Sequence, residues 1–488
     1  MTESGYGNGG GSTRRNRLKT WLPRKYSPTT DINQNLTLLR NRSADLAINT
    51  ALGSAVINTL SLYVVGDGLR LSPKINAKAL GMSREEAKEW ENRVKLEWEL
   101  FSSNIDLDYY RRNNFNDLQQ IAYQSSLIDG DAFVLFRRVA PESISQPYTL
   151  RLQIVEGNRI TNPNSAGDQT GYIVRNPENG NRIIDGVEVD ERGILEAYWI
   201  ASSVPNDPID NQYKKVKWDR VRAYGELTGY RNILQITRDE RSGMTRGVPI
   251  LAPVIETLRQ ISLYVNAELD SAITRAFYSL FFTQFTQPNA FNLNELKEED
   301  REPIDTTGFN LGPGTIASLP MGIDVKSIES SKQSAFPAFV VELVKQVGAS
   351  IGIPYEVLMR SFTSSYSASR ASLLQAWSNF RRQRACFIRD FCKPIYEVFL
   401  IEGIVNGRIE APGFFEDPIR RLAWSNANFY GNSMEILDPL KEVNASRLRM
   451  ELGLSTLEKE SSEITSTNYE ENLEQLDYEN ALKGLKKE

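Results

Sequence analysis

Hydrophobic positions along this chain change texture several times. Over residues 32–65 they recur at three- and four-residue steps, the spacing of a helix with one buried face, and Gly66-Asp67-Gly68 turns the chain at its end. Residues 83–101 predict a second helix, with Ser83 as N-cap and Glu86 completing a capping box, and residues 116–128 a third. After the turn Asp129-Gly130-Asp131 the runs become strand-like, over 132–139, 149–155, 183–189, 194–200, 221–224 and 232–236. Helical spacing then returns. Pro253 suits a first helical position, and Val254, Leu258, Ile261, Val265, Leu269, Ala272, Ala276 and Leu280 extend the helix over about 30 residues, roughly 45 Å. A polar excursion, 285–325, separates it from a helix over 334–351 closed by Gly352 and Pro354. The longest stripe runs through Leu373, Trp377, Phe380, Arg384, Phe387, Phe391 and Val398, and predicts one helix over 368–405, about 57 Å long, kinked at Pro394.

Two uncharged stretches approach membrane-spanning length. In 46–66, however, Asn49, Thr50, Gly53, Ser54, Asn58 and Ser61 recur at helical spacing, so an amphipathic helix is expected there. In 276–294 the second half is filled by Gln, Asn and Pro. No membrane is expected as a partner. Asp129 and Asp131 lack the further oxygen ligands of a calcium loop and read as turn residues. Within the long stripe, Arg384 calls for a buried carboxylate. Its companions Arg370, Arg381, Arg382 and Arg389 fit either solvated or subunit-facing ion pairs, or a nucleic-acid path.

Composition removes most catalytic readings. The 488 residues include no histidine, which excludes Ser-His-Asp and Cys-His nucleophile systems and the commonest ligand of zinc and copper. No P-loop motif occurs, so the chain should not hydrolyse ATP itself, and the G-x-G-x-x-G at Gly5, Gly7 and Gly10 has no strand before it. No enzyme, catalytic residue, metal or cofactor is expected. Cys386 and Cys392, six positions apart on one helix, stand about 9 Å apart, beyond disulfide reach, which fits synthesis in a reducing cytoplasm. The net charge of −5 hides opposite ends: residues 1–42 carry a net of +6 and residues 451–488 a net of −6.

Several blocks together resemble the lambda-type portal, or head-tail connector, proteins of tailed bacteriophages. They are residues 42–58 leading into Val64-Val65-Gly66-Asp67-Gly68-Leu69-Arg70, and Thr245-Arg246-Gly247-Val248-Pro249-Ile250-Leu251 leading into Asn266-Ala267-Glu268-Leu269. Next come Gly348-Ala349-Ser350-Ile351-Gly352-Ile353-Pro354-Tyr355, Tyr366-Ser367-Ala368-Ser369-Arg370-Ala371 and Phe391-Cys392-Lys393-Pro394-Ile395-Tyr396. Last are Asp438-Pro439-Leu440-Lys441-Glu442-Val443 and Leu452-Gly453-Leu454-Ser455-Thr456. They keep the family's order from about residue 35 to 460. The chain departs from the pattern at Gln235-Ile236-Thr237, where relatives often carry a histidine.

The resemblance implies an α+β portal fold: a ring-forming subunit, usually one of twelve. By order along the chain, 1–30 would be a disordered basic arm, 31–246 the wing, 247–284 the first stem helix and 285–325 the clip. Residues 326–353 would be the second stem helix, 354–367 the tunnel loop, 368–406 the long helix, and 407–488 the crown with an acidic tail. The tail would face the capsid interior or form a disordered surface arm. The role implied is the ring at the unique capsid vertex, through which double-stranded DNA is packaged and ejected. Its partners would be the terminase large subunit, which supplies the packaging energy, the major capsid protein or scaffold, and a head-tail adaptor. The tunnel loop would face DNA through Arg360, Ser361, Phe362, Thr363, Ser364, Ser365, Tyr366 and Arg370. Small uncharged side chains between two arginines suit weak, sequence-independent contact, because each added cation strengthens phosphate binding and would stall sliding. The competing expectation is a non-enzymatic DNA-binding protein using the basic N-terminal arm. Without histidine, assembly should vary little between about pH 6 and 8.

Overall fold

The computed structural model describes residues 24–140, 147–163, 172–205, 207–209, 215–238, 241–277, 281–284, 323–326, 336–362, 366–433, 439–465, 467 and 469–482. The chain divides into two compact units, residues 1–255 with 348–488, and residues 256–347.

In the larger unit, helix starts at Pro28–Asn33 behind Ser27, whose hydroxyl accepts from the Thr30 N–H. This helix starts within the predicted arm 1–30; residues 1–23, with the glycine run, lie outside the described residues. The continuous helix expected over 32–65 is two helices, Leu36–Asn49 and Ala51–Val64, bent by 93°. Thr50 makes the elbow. Its backbone is extended, and its hydroxyl donates to the Leu46 carbonyl at 2.6 Å and accepts from the Gly53 N–H at 3.2 Å. Gly53 lies so close that a Cβ there would stand 2.2 Å from the same Leu46 oxygen. Among the described residues no single helix is long and apolar enough to cross a membrane. Val56, Ile57, Leu60 and Val64 are buried. The capping box at Ser83 and Glu86 opens helix Arg84–Ser103 as read from sequence.

The strand-like runs form two antiparallel sheets. Asp131–Arg138 is the centre of a three-stranded sheet between Leu150–Glu156 and Ile233–Thr237. Ile173–Arg175, Arg182–Ile184, Val187–Val189, Leu195–Ala201 and Trp218–Arg222 make a five-stranded meander. The run expected over 183–189 is a hairpin, because Asp185 and Gly186 take φ of 48° and 82°, the two positive values of a type I′ turn. Phe133, Leu135, Tyr198, Ile200 and Ile233 are buried together in the core of these sheets.

One helical rod crosses this unit as Tyr366–Phe387, the π-helical turn Ile388–Cys392, and Lys393–Val405. The break expected at Pro394 takes this form because proline lacks the N–H that would bond back to residue 390, and a wider turn just before it absorbs the mismatch. Trp98 meets Phe115, Tyr396 and Phe399 edge-on, with centroids 5.0, 5.8 and 5.1 Å away, and these rings are buried. Glu402, 5% exposed, accepts from the Leu150 N–H at 3.2 Å and the Thr149 hydroxyl at 2.9 Å and pairs with Arg138, locking the rod to the three-stranded sheet. Cys386 and Cys392 are both free thiols, and burial pushes the Cys392 thiol up. Beyond the rod lie Pro418–Trp424, the strand Ala427–Tyr430 paired with Arg70–Pro73, and Pro439–Glu451. The acidic tail is helical over Leu457–Ile464 and Tyr469–Leu482, which replaces the alternative of a disordered arm there.

In the smaller unit, the helix expected through Leu280, within the segment 247–284, is described as Ile255–Phe277, and Phe281–Gln284 is instead a strand, paired antiparallel with Ile323–Lys326. The aromatic and β-branched residues Phe281, Phe282 and Thr283 favour that state. Residues 285–322, most of the expected clip, lie outside the described residues. Helix Phe336–Ile351 follows the predicted span, and within this unit Phe339 meets Tyr264 edge-on at 5.5 Å.

Candidate nucleic-acid interface

The segment named from sequence as DNA-facing begins where helix Phe336–Ile351 stops. Gly352, at φ 82°, and Ile353 both return N–H bonds to the Gly348 carbonyl, and Asn379 on the rod donates to the carbonyls of Ile351 and Gly352 at 3.3 and 3.1 Å. Gly348 cannot carry a side chain here, since a Cβ would stand 2.3 Å from the Ile353 oxygen. After Pro354 a single turn, Tyr355–Leu358, buries Val357 and Leu358 and closes with the Ser361 N–H on the Glu356 carbonyl. That closure puts Arg360 in the left-handed region, φ 52°, the post-helix position glycine usually takes. Its side chain is exposed, Ser361 is half-buried, and Phe362 is half exposed. Thr363, Ser364 and Ser365 lie outside the described residues, and Tyr366 opens the rod, two residues before the predicted start. Arg370 forms an ion pair with Glu442 of helix Pro439–Glu451, which draws it from a free cationic role toward tying the rod to that helix.

The other arginines of the rod separate by environment. Arg384 was expected to need a carboxylate; instead it donates to the carbonyls of Val64 and Tyr63, at 2.9 and 2.8 Å, and lies 5.3 Å from the Trp377 ring centre. It caps the negative end of helix Ala51–Val64, so carbonyl dipoles and a π face replace the anion. Burial, then the nearby Arg381, lowers its pKa to about 10. Arg381 and Arg382 are exposed, and Arg389 pairs with its neighbour Asp390 at 2.7 Å. Arg382 and Arg389 stand with Arg238 around a cleft of about 420 Å³ floored by Leu127, Val248, Ile250 and Phe387.

A buried charge cluster whose partners local sequence does not announce centres on Arg246 and Asp131. Arg246, within the quoted block, is fully buried and meets both oxygens of Asp131, at 2.7 and 3.0 Å, the Asp185 carboxylate at 3.1 Å, and the carbonyls of Gly157 and Ile160 at 2.6 and 2.7 Å. Arg40 reaches Asp131 at 2.9 Å and the Asp129 carbonyl at 2.8 Å. Gln235, in the stretch Gln235-Ile236-Thr237, donates to Asp131 and to the Thr245 carbonyl. Burial opposes every one of these charges. Even so, Asp131 is held below the usual carboxylate range by Arg246 and Arg40, and Arg246 is pushed above its ordinary value by Asp131 and Asp185. Asp129, whose side chain gains less from these arginines, is pushed up to about 6 by burial. Gly130 and Gly247 pack backbone on backbone; a Cβ on Gly247 would lie 2.0 Å from the Gly130 oxygen. This joint fastens the first long helix, the start of the central strand and the hairpin turn to the segment that leads into helix Ile255–Phe277. Among the described residues no cluster of acidic or thiol side chains could hold a metal ion.

A two-unit α+β subunit with long helices on either side of a polar excursion is the frame in which this segment sits. Residues 14–384 match the lambda family of phage portal proteins, and the chain belongs to that family. It is 26% identical to portal protein B of Escherichia phage lambda over 482 residues, covering 94% of this chain and 86% of that protein. The portal protein of Escherichia phage N15 is 24% identical with the same coverage. Among solved structures, a chain in the virion of a native gene transfer agent particle aligns with a TM-score of 0.43 at 12% identity, covering 90% of this chain and 93% of that one.

Proposed function

We propose that this chain is the portal subunit of a tailed phage: a ring-forming protein at one capsid vertex through which double-stranded DNA enters and leaves. The observation that carries the reading is the family match across 371 consecutive residues, 14–384, together with a named lambda relative covered over 86% of its length. In this reading the wing is 31–246, the stem helices lie in 247–284 and 326–353, the clip is 285–325, the tunnel loop 354–367, the long helix 368–406 and the crown 407–488. The loop's exposed Arg360 and half-exposed Phe362 present little fixed charge to DNA, since Arg370 is already paired. Weak contact of this kind suits sliding, because phosphate affinity climbs with each cation brought to bear. The terminase motor and later the head-tail adaptor dock on the clip, and the capsid protein or scaffold surrounds the wing. The subunit is made in the host cytoplasm and ends in the virion. Electron microscopy of the purified protein tests the reading: closed rings with a central channel are expected, and a monomer that forms no ring under any condition would overturn it.

A further inference from the structure

Between the two sheets the chain makes a tight tip that points a leucine into solvent. Strand Trp218–Arg222 of the five-stranded sheet passes into Ile233–Thr237 of the three-stranded sheet through residues 223–232. Tyr224 and Arg231 form an antiparallel bridge, the Gly225 N–H donates to the Tyr230 carbonyl at 2.7 Å, and the Gly229 N–H donates to the Gly225 carbonyl at 2.8 Å. Gly229 takes φ 65°, the left-handed value that lets the tip close. The closed tip holds Leu227 at 99% exposure, where it gains nothing from burial in its own subunit. Arg421 lies 4.5 Å from the Tyr230 ring centre, so helix Pro418–Trp424 stands beside the tip, and that helix leaves Ile419 and Leu422 at 70% and 72% exposure.

The cleft described above lies at the other end of strand Ile233–Thr237, where Ile236, Thr237 and Arg238 join its lining. Five residues of strand span about 16 Å, and the tip is closed on itself, so it does not reach the cleft of its own subunit. The cleft has an apolar floor, a rim with Arg238, Arg382 and Arg389 against one carboxylate, Asp390, and a volume of about 420 Å³, that of a site enclosing a small ligand. Glu226, next to Leu227, is paired with Arg222 at 2.5 Å, but both side chains of that pair are exposed, so another guanidinium can take the place of Arg222 at little cost. Cys386, half-buried, also lines the cleft, whereas Cys392 is fully buried.

We propose that the tip of one copy seats Leu227 in the cleft of a second copy of this chain, with Glu226 against the arginine rim; the identity of the partner rests on the ring reading above. A knob and a hole at opposite ends of one strand make a head-to-tail contact, the kind that a ring repeats at every interface. A leucine without burial and an apolar floor open to solvent both gain from it. Leu227→Cys tests the contact in the full-length protein, because the substituted position would come to the partner's Cys386, within the Cα separation of about 7 Å that a disulfide allows. Diamide, which takes up the two thiol hydrogens, followed by electrophoresis without reductant, is expected to give a ladder of covalent oligomers that dithiothreitol dissolves. Neither the parent nor L227C combined with C386A should give one. L227D is expected to raise the concentration at which copies assemble about tenfold or more, with an unchanged circular dichroism spectrum, since Leu227 is exposed in the lone subunit. Rings in the electron microscope without a ladder from L227C, or a ladder that survives C386A, overturn the contact and leave the ring reading standing. A ladder from copies that grow as open filaments supports the contact and counts against the ring, and a parent that stays monomeric with no ladder from L227C overturns both.

Discussion

At the scale of single residues, one buried charge cluster joins Arg246, Arg40, Asp131 and Asp185. Replacing Arg246 by alanine leaves the fully buried Asp131 carboxylate, with the partly exposed Asp185 nearby, paired only with Arg40. Loss of one partner from a buried pair costs about 3–5 kcal/mol, so the denaturant midpoint should fall sharply, and Arg246→Lys should restore little because a single ammonium cannot meet both oxygens of Asp131. Asp129 gives a prediction of the opposite sign. Burial raises its pKa from 3.8 to about 6 in the folded chain, so the folded state holds its proton longer than the unfolded one. Its contribution to stability is present below about pH 4 and is lost as the pH rises through 6. Asp129→Asn should therefore flatten the stability profile between pH 4 and 6 and raise stability at pH 7 by on the order of 2 kcal/mol. Equilibrium unfolding across that range reads both effects; a variant less stable than the parent at pH 7 would contradict the burial argument. The same carboxyl limits the expectation drawn from the absence of histidine, since this group titrates at the lower edge of the pH 6 to 8 window. The sequence showed the turn that carries Asp129 and Asp131. It could not show their partners, because Arg40, Asp185 and Arg246 come from segments 91, 54 and 115 positions from Asp131, and local spacing says nothing about pairing at that range.

At the scale of elements, what sequence displayed well was whatever local chemistry decides. The capping box at Ser83 and Glu86, the turn at Gly130 and the stop at Gly352 each depend on residues within a few positions of one another. The misreadings share a cause: periodicity reports a face but not the path of the axis. Residues 32–65 keep helical spacing through Thr50, yet one hydroxyl and one glycine turn the chain by 93°. Asp185-Gly186 lay inside an apolar run, and its turn signal was outweighed by the residues around it. Arg384 was legible as a cation in an apolar stripe, but a helix end, which has no sequence label, serves as its counter-charge. The elbow yields a clear test. Gly53→Ala places a Cβ 2.2 Å from the Leu46 oxygen, so either the bend opens or the helix ends separate. A loss of about 1–3 kcal/mol is expected, the scale of overpacking. Gly81→Ala, whose φ is positive but whose surroundings are open, separates the cost of crowding from that of backbone strain.

At the scale of the whole molecule, the described helices of the smaller unit carry a run of partly exposed apolar side chains. Leu263, Val265, Leu269 and Ile273 on helix Ile255–Phe277, and Phe339 on helix Phe336–Ile351, are each between 39% and 57% exposed. The four on the first helix lie within three turns. At about 25 cal/mol per Å² of apolar area covered, neighbours packed on such positions supply several kcal/mol per subunit, and a closed ring repeats that contact at every interface. We propose that in the ring these side chains meet the adjacent copies. Leu269→Asp should then leave the subunit folded, because Leu269 is already more than half exposed, while introducing a charge that must be desolvated at each contact. Size-exclusion chromatography with light scattering should show a shift from rings to single subunits, with an unchanged circular dichroism spectrum and melting of the larger unit. Substitution at Leu100, which is 62% exposed on helix Arg84–Ser103 of the larger unit, serves as the control for a general effect of surface charge. Rings that form as readily from the Leu269→Asp variant as from the parent would remove these helices from the subunit contact and leave assembly to the wing and crown.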